Sequence, residues 1–119
     1  MDVPVPSRLE RSAVTILSGA SLSDALHLQG RTLVGIDMPA SWTAAGLSLA
    51  VSNDGSTYLT LYDALGEVTF AAAASIHVGI DFSNKIGFNY LKVRSGSSGS
   101  PVNQAADRTI YVVTADMIR

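Results

Sequence analysis

The stretch Leu47-Ser48-Leu49-Ala50-Val51-Ser52 decides the fold of this chain. Large apolar residues alternate with small or polar ones, which places the two sets on opposite faces of a half-buried β-strand. The following residues, Asn53-Asp54-Gly55-Ser56-Thr57, contain Asp-Gly, a strong hairpin signal, because glycine adopts positive φ without a steric penalty. We therefore predict a strand over 47–52, a turn, and an antiparallel strand over 58–62.

Similar short apolar runs recur along the chain about every 8–12 residues, which is typical of a β-sandwich or barrel. A short helical turn is expected over 21–26, where Ser21 and Asp24 have capping-box spacing. The segment 95–101 is rich in Ser and Gly and is predicted to be a long exposed loop. The fold class is therefore all-β, an antiparallel β-sandwich, with predicted strands over 13–17, 25–28, 31–38, 47–52, 58–62, 67–71, 75–80, 90–94 and 108–113.

Length and composition exclude several classes of protein. The 119 residues are enough for one domain, and a charged fraction of 15% with a hydrophobic fraction of 47% excludes general disorder. The formal net charge of −2 gives no electrostatic reason to expect nucleic acid or an anionic membrane as partner. The chain has no cysteine, which excludes disulfides and thiolate chemistry, and no apolar run approaches the roughly 20 residues of a membrane span.

The first twelve residues predict an extended arm. The pair of Val-Pro dipeptides favours extended backbone, since a residue before proline is pushed out of the helical region. We predict an extended N-terminal arm over 1–12 and one sandwich domain over 13–119. Fully extended, the arm would reach about 40 Å, far enough to contact a neighbouring subunit. The acid and prolines at the start do not fit a signal peptide, so we expect synthesis in the cytoplasm. The residues expected to attach are Val3, Pro4, Val5, Pro6 and Leu9.

No constellation in the sequence predicts catalysis. His27 and His77 are the only imidazoles, and a metal site with Asp37 or Asp81 is less favoured than two solvent-facing strand residues, because no HxH or HxxxH pair exists. The carboxylates are scattered, and neither a G-x-S-x-G elbow nor a phosphate-binding loop is present. We predict no catalytic residues, no metal, no cofactor and no enzymatic activity.

Two pentapeptides resemble each other. Val34-Gly35-Ile36-Asp37-Met38 is echoed by Val78-Gly79-Ile80-Asp81-Phe82. They fit either two equivalent strands of a duplicated unit or a chance recurrence of apolar alternation, and we favour the second interpretation.

The aromatic residues are the candidate binding groups. Trp42 follows Met38-Pro39-Ala40-Ser41 and is interpreted as a lid over the core, an interface anchor or a sugar platform. Tyr58, Tyr62 and Tyr90 are predicted to form an exposed tyrosine strip, which would suit a subunit contact at least as well as a ligand.

Three segments together resemble the galactose-binding, discoidin-like β-sandwich superfamily. They are the hairpin over 47–58, the strand over 90–94 and the closing strand over 109–113. The arrangement also resembles small virion proteins of tailed bacteriophages and gene-transfer agents, in which a Pro-Ala-x-Trp turn precedes the hairpin and a Leu-x-Val/Leu-Arg-Ser-Gly strand comes late. Pro39-Ala40-Ser41-Trp42 and Leu91-Lys92-Val93-Arg94-Ser95-Gly96 fit that pattern.

These resemblances imply a galactose-binding-like jelly roll and a place in the virion. The implied function is a capsid decoration (cement) or head-fibre protein on the outside of the particle, with the major capsid protein or other virion proteins as partners. We expect a homo-oligomer. The alternative is a carbohydrate-binding module that uses the aromatic residues on a cell-surface glycan and aids host adhesion.

Overall fold

A computed structural model describes residues 5–84 and 87–118. Within these residues the chain forms no α-helix, one 3-10 helix at Phe82–Asn84 and eleven strands. The strands are β1 Val5–Ile16, β2 Leu26–His27, β3 Thr32–Asp37, β4 Leu47–Ser52, β5 Leu59–Thr60, β6 Tyr62–Asp63, β7 Gly66–Glu67, β8 Thr69–Phe70, β9 His77–Gly79, β10 Tyr90–Ser95 and β11 Arg108–Ile118.

The strands form two antiparallel sheets and a small hairpin. Sheet A has the order β1-β11-β3-β9. Sheet B has the order β2-β10-β4-β5, with β8 also paired to β4, and β6 pairs with β7 in the hairpin. The predicted all-β class with antiparallel sheets is confirmed, whereas the jelly-roll and galactose-binding-like details stay predictions.

One core lies between the two sheets. Alternate residues of β1, β4, β10 and β11 point inward, as the period of two requires, whereas the core residues of β3 are three positions apart at the register shift between β3 and β11. Sheet A contributes Val14, Ile16, Leu33, Ile36, Ile110 and Val112, and sheet B contributes Leu47, Leu49, Leu91 and Val93.

The predicted hairpin after β4 forms, but its second strand is shorter than the predicted 58–62, because only Leu59–Thr60 pairs with β4 and Tyr62 pairs with β7 instead. β4 and β5 pair antiparallel, and Gly55 in the connection has a φ of 78°. The Asp54 carboxylate accepts hydrogen bonds from the N–H groups of Thr57 and Ser56, both at 2.8 Å. These bonds, led by the one from Thr57, lower the pKa of Asp54 below its usual value.

The polar face of β4 is buried, which alternation did not predict. Ser48 is 0% exposed because the chain after β10 covers it. Its hydroxyl donates to the carbonyl of Gly96 at 2.8 Å and accepts from the Arg94 guanidinium at 3.1 Å. β4 therefore has an apolar contact on one face and a hydrogen-bonded contact on the other.

The predicted helical turn over 21–26 is wrong. The segment instead runs beside β10, where Ser23 N–H donates to the carbonyl of Val93 and Ser95 N–H donates to that of Ser21. The Asp24 carboxylate accepts from Thr15 N–H at 2.8 Å, so it binds β1 rather than capping a helix.

The predicted free arm is not confirmed. From Val5 onward the segment belongs to β1, which pairs with β11 through residue 16 apart from a register shift between Pro6 and Arg8. The strand continues without a break across the predicted boundary at residue 12. Of the expected attachment residues, Val3 and Pro4 lie outside the described residues.

The two similar pentapeptides lie side by side. β3 and β9 pair antiparallel with Gly35 opposite Gly79 and Ile36 opposite Val78. The equivalent glycines lie opposite each other, and Ile80 N–H donates to the carbonyl of Val34 at 3.2 Å, so the two segments are related by a local two-fold arrangement within one sheet.

None of the described residues belongs to a helix long and apolar enough to cross a bilayer.

Candidate functional site

β1 presents an open edge. Within the described part of the chain, sheet A ends at β1, whose neighbour is β11. Thr15 shows how its backbone groups point, since its N–H donates to the Asp24 carboxylate and its C=O accepts from Asp24 N–H at 3.3 Å. Backbone direction alternates along a strand, so the N–H and C=O groups of Leu9, Arg11 and Ala13 also point away from β11. On this open side, no described residue forms a backbone hydrogen bond with those three residues.

A charged cluster lies on the outer face of sheet A. Asp37 accepts from Arg11 Nε at 2.7 Å and contacts His77 Nδ1 at 2.5 Å. The Arg11 guanidinium lies 3.7 Å from the ring centroid of Tyr111. Gly35 makes room for the imidazole, because a Cβ there would lie 2.6 Å from His77 Cε1. The His77 and Asp37 pair considered for a metal thus contacts the Arg11 cation.

The other imidazole and carboxylate lie elsewhere. The His27 ring stacks on Tyr90, with 4.5 Å between centroids, and Asp81 accepts from Ser83 N–H and Oγ at the 3-10 helix. Among the described residues, no group of three or more His, Cys, Asp or Glu side chains could hold a metal ion.

The contribution of the charged cluster to stability should decrease as the pH is lowered. Hydrogen bonds from His77 and then Arg11 lower the pKa of Asp37 below its usual value. A carboxyl whose pKa is lower in the folded chain stabilises it above the unfolded-state pKa of about 3.9, and this contribution disappears as pH falls through the folded-state value. We expect the stability advantage of wild type over Asp37→Asn to shrink when urea unfolding is measured from about pH 5 to about pH 2.5. Parallel stability curves for the two proteins would contradict the role of Asp37.

Trp42 is partly buried against the core. Its indole Nε1–H donates to the carbonyl of Ala45 at 3.0 Å, and the ring packs beside the buried residues between the sheets. The roles of lid, interface anchor and sugar platform stay predictions for this residue.

Tyr58 and Tyr90 lie close enough to interact electrostatically, and Tyr62 belongs to the β6–β7 hairpin. Tyr90 is half-buried between His27 and Gly55. Tyr58 is half-buried beneath Lys92 Nζ, which lies 4.4 Å from its ring centroid, and burial raises the pKa of Tyr58 above its usual value. Tyr62 is 61% exposed on the β6–β7 hairpin. Glycan binding by these tyrosines stays a prediction.

The β6–β7 hairpin carries exposed apolar side chains. Leu65 at its tip is 99% exposed, Tyr62 lies at its base, and Leu59 on the preceding strand is 68% exposed. We call these three residues the hairpin patch. Leu65 was not predicted; the signal that could have indicated it is an apolar residue at a usually polar position of the turn Asp63-Ala64-Leu65-Gly66.

An open pocket of about 440 Å³ lies beside Leu59 of the hairpin patch. Its apolar lining residues are Val51, Leu59, Leu61 and Phe88, and its polar ones are Ser52, Asn53, Asp54 and Thr57. The exposed lining surface is mostly apolar and offers an area for packing.

Gln104 connects the loop that contains Thr43 with the end of β10 and the start of β11, and no sequence pattern predicted this role. The residue is 1% exposed. Its Oε1 accepts from Thr43 N–H at 2.8 Å and from Arg108 Nε at 3.1 Å, while Nε2 donates to the carbonyl of Thr43 and to Ser95 Oγ. A single glutamine in a loop has no periodic signal, so only the folded chain reveals this role.

The sequence matches no protein-family model and no curated protein. Among solved structures, the fold is similar to the crystal structure of SPBc2 prophage-derived protein YomS, with a TM-score of 0.53 and 10% sequence identity. The likeness covers 94% of this chain and 98% of that chain, so the two share an overall fold along nearly their entire lengths.

Proposed function

We propose that the chain is a non-enzymatic structural protein of a bacteriophage particle, attached to the outside of the capsid as a decoration or head-fibre protein. The observation that carries the proposal is the likeness to a prophage-derived protein over nearly the full length of both chains. The virion is the proposed location, after synthesis in the cytoplasm of the host bacterium.

The exposed surfaces support attachment. Single exposed leucines are ordinary in proteins, but the hairpin patch gathers three large apolar residues within seven positions of the chain. A projecting apolar tip can enter a depression on a partner, where its burial would stabilise the contact by about 2 kcal/mol per large side chain. We propose that the hairpin patch contacts the major capsid protein or another virion protein.

Many weak contacts would suffice on a particle. Each copy would bury a small area, but a shell would offer many equivalent positions, and neighbouring copies that contact one another would dissociate less readily. This arrangement suits a chain with a net charge of −2, because attachment would depend on shape and apolar contact rather than on charge steering.

Co-sedimentation tests the proposal. Particles made without this chain are mixed with purified protein and pelleted. We expect wild type to pellet with the particles and Leu65→Asp to bind at least about tenfold less, since a buried unpaired charge costs more than 1.4 kcal/mol. Leu17→Asp is the matched control, because Leu17 is also an exposed leucine, at 60%, but lies outside the hairpin patch.

Two results would count against the proposal. Wild-type protein that stays in the supernatant at every concentration would contradict particle attachment. Equal binding of Leu65→Asp and wild type, with equal melting temperatures, would remove the hairpin patch from the contact.

A further inference from the structure

We infer that the open edge of β1 pairs with β1 of a second copy of this chain, antiparallel, about a two-fold axis at Leu9. The pairing would join two copies of sheet A into one continuous eight-stranded sheet. This inference concerns the isolated chain, so it stands or falls separately from attachment to a particle.

The open edge of β1 is limited at one end by Asp24 and at the other by Pro6 and the register shift next to it. Asp24 occupies the edge at Thr15 through two hydrogen bonds. At the other end Pro6 has no N–H to donate, and the register shift between Pro6 and Arg8 breaks the regular pairing. The backbone groups of Leu9, Arg11 and Ala13 remain between them. With the axis at Leu9, those of Leu9 pair with the same groups of the second copy, and those of Arg11 lie opposite Ser7, beside the register shift.

Charge selects one register. With the axis at Leu9, Arg8 of each copy lies opposite Glu10 of the other, and both pairs join opposite charges. The backbone groups of Arg8 and Glu10 point toward β11, so across the open edge these residues form non-hydrogen-bonded pairs, in which the side chains are closest. Arg8 already contacts Asp116 at 2.9 Å but its side chain stays 76% exposed, and its five N–H donors leave room for a second carboxylate.

The other registers are unfavourable. An axis at Glu10 or Arg11 would place that residue opposite its own copy, and like charges directly opposite destabilise a strand pair. An axis at Ser12 would require the backbone of Thr15, which Asp24 already occupies.

The outer face also favours the axis at Leu9. Leu9 is 64% exposed, and its side chain would lie directly opposite the same side chain of the second copy. The Arg11 side chain, two residues away, binds Asp37 and Tyr111, so it does not lie between the two Leu9 side chains. The axis therefore combines a hydrogen-bonded Leu9 pair with two flanking ion pairs.

Single-cysteine variants test both the dimer and its register, because the chain has no cysteine of its own. In Leu9→Cys the two Cα atoms would be about 5.5 Å apart, which a disulfide can bridge. Ala13→Cys is the matched control on the same edge and face, and its two Cα atoms would be about 27 Å apart. Under mild oxidation we expect Leu9→Cys to form covalent dimers at least about tenfold faster than Ala13→Cys.

Solution mass provides a second measurement. The interface is short, so we expect wild type to dimerise with a Kd on the order of 100 µM in sedimentation velocity. Leu9→Pro removes an N–H that points away from β11, so it should keep the fold and abolish the dimer. Leu65→Asp should dimerise like wild type.

The inference is overturned if wild type remains a 12.4 kDa monomer at about 1 mM. Equal oxidation rates of the two cysteine variants would indicate random collision and would also overturn it, as would faster linkage through Ala13→Cys. A monomer that still pellets with particles would refute this dimer while leaving the proposed function in place.

Discussion

Replacing Gln104 by alanine is expected to lower the free energy of unfolding by about 3 kcal/mol, because each buried polar group left without a partner costs about 1–3 kcal/mol. The substitution removes four hydrogen bonds from a residue that is 1% exposed. The N–H and carbonyl of Thr43 and the hydroxyl of Ser95 would lose this partner. Urea unfolding with a shared m-value measures the change.

Asn103→Ala is the control for this prediction. Asn103 is the preceding residue and is exposed, so we expect its substitution to change stability by less than about 0.5 kcal/mol. A loss below about 1 kcal/mol for Gln104→Ala would contradict the organising role of the amide.

Glu67→Ala is expected to cost about 2 kcal/mol, because it removes bonds to a charged group that is largely buried. The Glu67 carboxylate accepts from Ser98 N–H and Ser98 Oγ, both at 2.9 Å, and lies 3.7 Å from Arg94. The Ser/Gly segment that looks freely flexible in the sequence is tied down at this point. We expect amide exchange at Ser98 to become at least about tenfold faster in the variant.

Glu10→Ala is the matched control for Glu67→Ala. Its carboxylate lies 3.5 Å from Arg31 and is 51% exposed, compared with 16% for Glu67. An exposed pair contributes little, so we expect a change of about 0.5 kcal/mol. Equal losses for the two variants, measured at a concentration where the chain is monomeric, would contradict the special role of Glu67.

The sequence predicted those parts of the fold that follow from local patterns. β4 has the predicted bounds of 47–52, and β10 differs from 90–94 by one residue, because both strands alternate strictly. β1 was predicted only from residue 13. Its earlier residues pair with β11 at an exposed edge, and they need no apolar alternation to do so.

The candidate surfaces were predicted less well than the fold. Leu9 and Tyr62 are exposed, whereas Trp42 packs against the core and Tyr90 stacks on His27. Leu65 escaped the sequence analysis because a turn with Asp63 and Gly66 looks ordinary. Which backbone groups of an edge strand point to the open side depends on its pairing with the neighbouring strand. For β1 that neighbour is β11, which is distant in the sequence, so the sequence of β1 alone does not contain this information.

Quantitative mass spectrometry of purified particles tests the central claim most directly. The particles come from a strain that encodes the chain, and they are washed and banded before digestion. We predict that peptides of this chain are present in a fixed ratio to the major shell protein, across independent preparations. Particles that are infectious and intact but lack the chain, with all of it left in the lysate supernatant, would contradict the account.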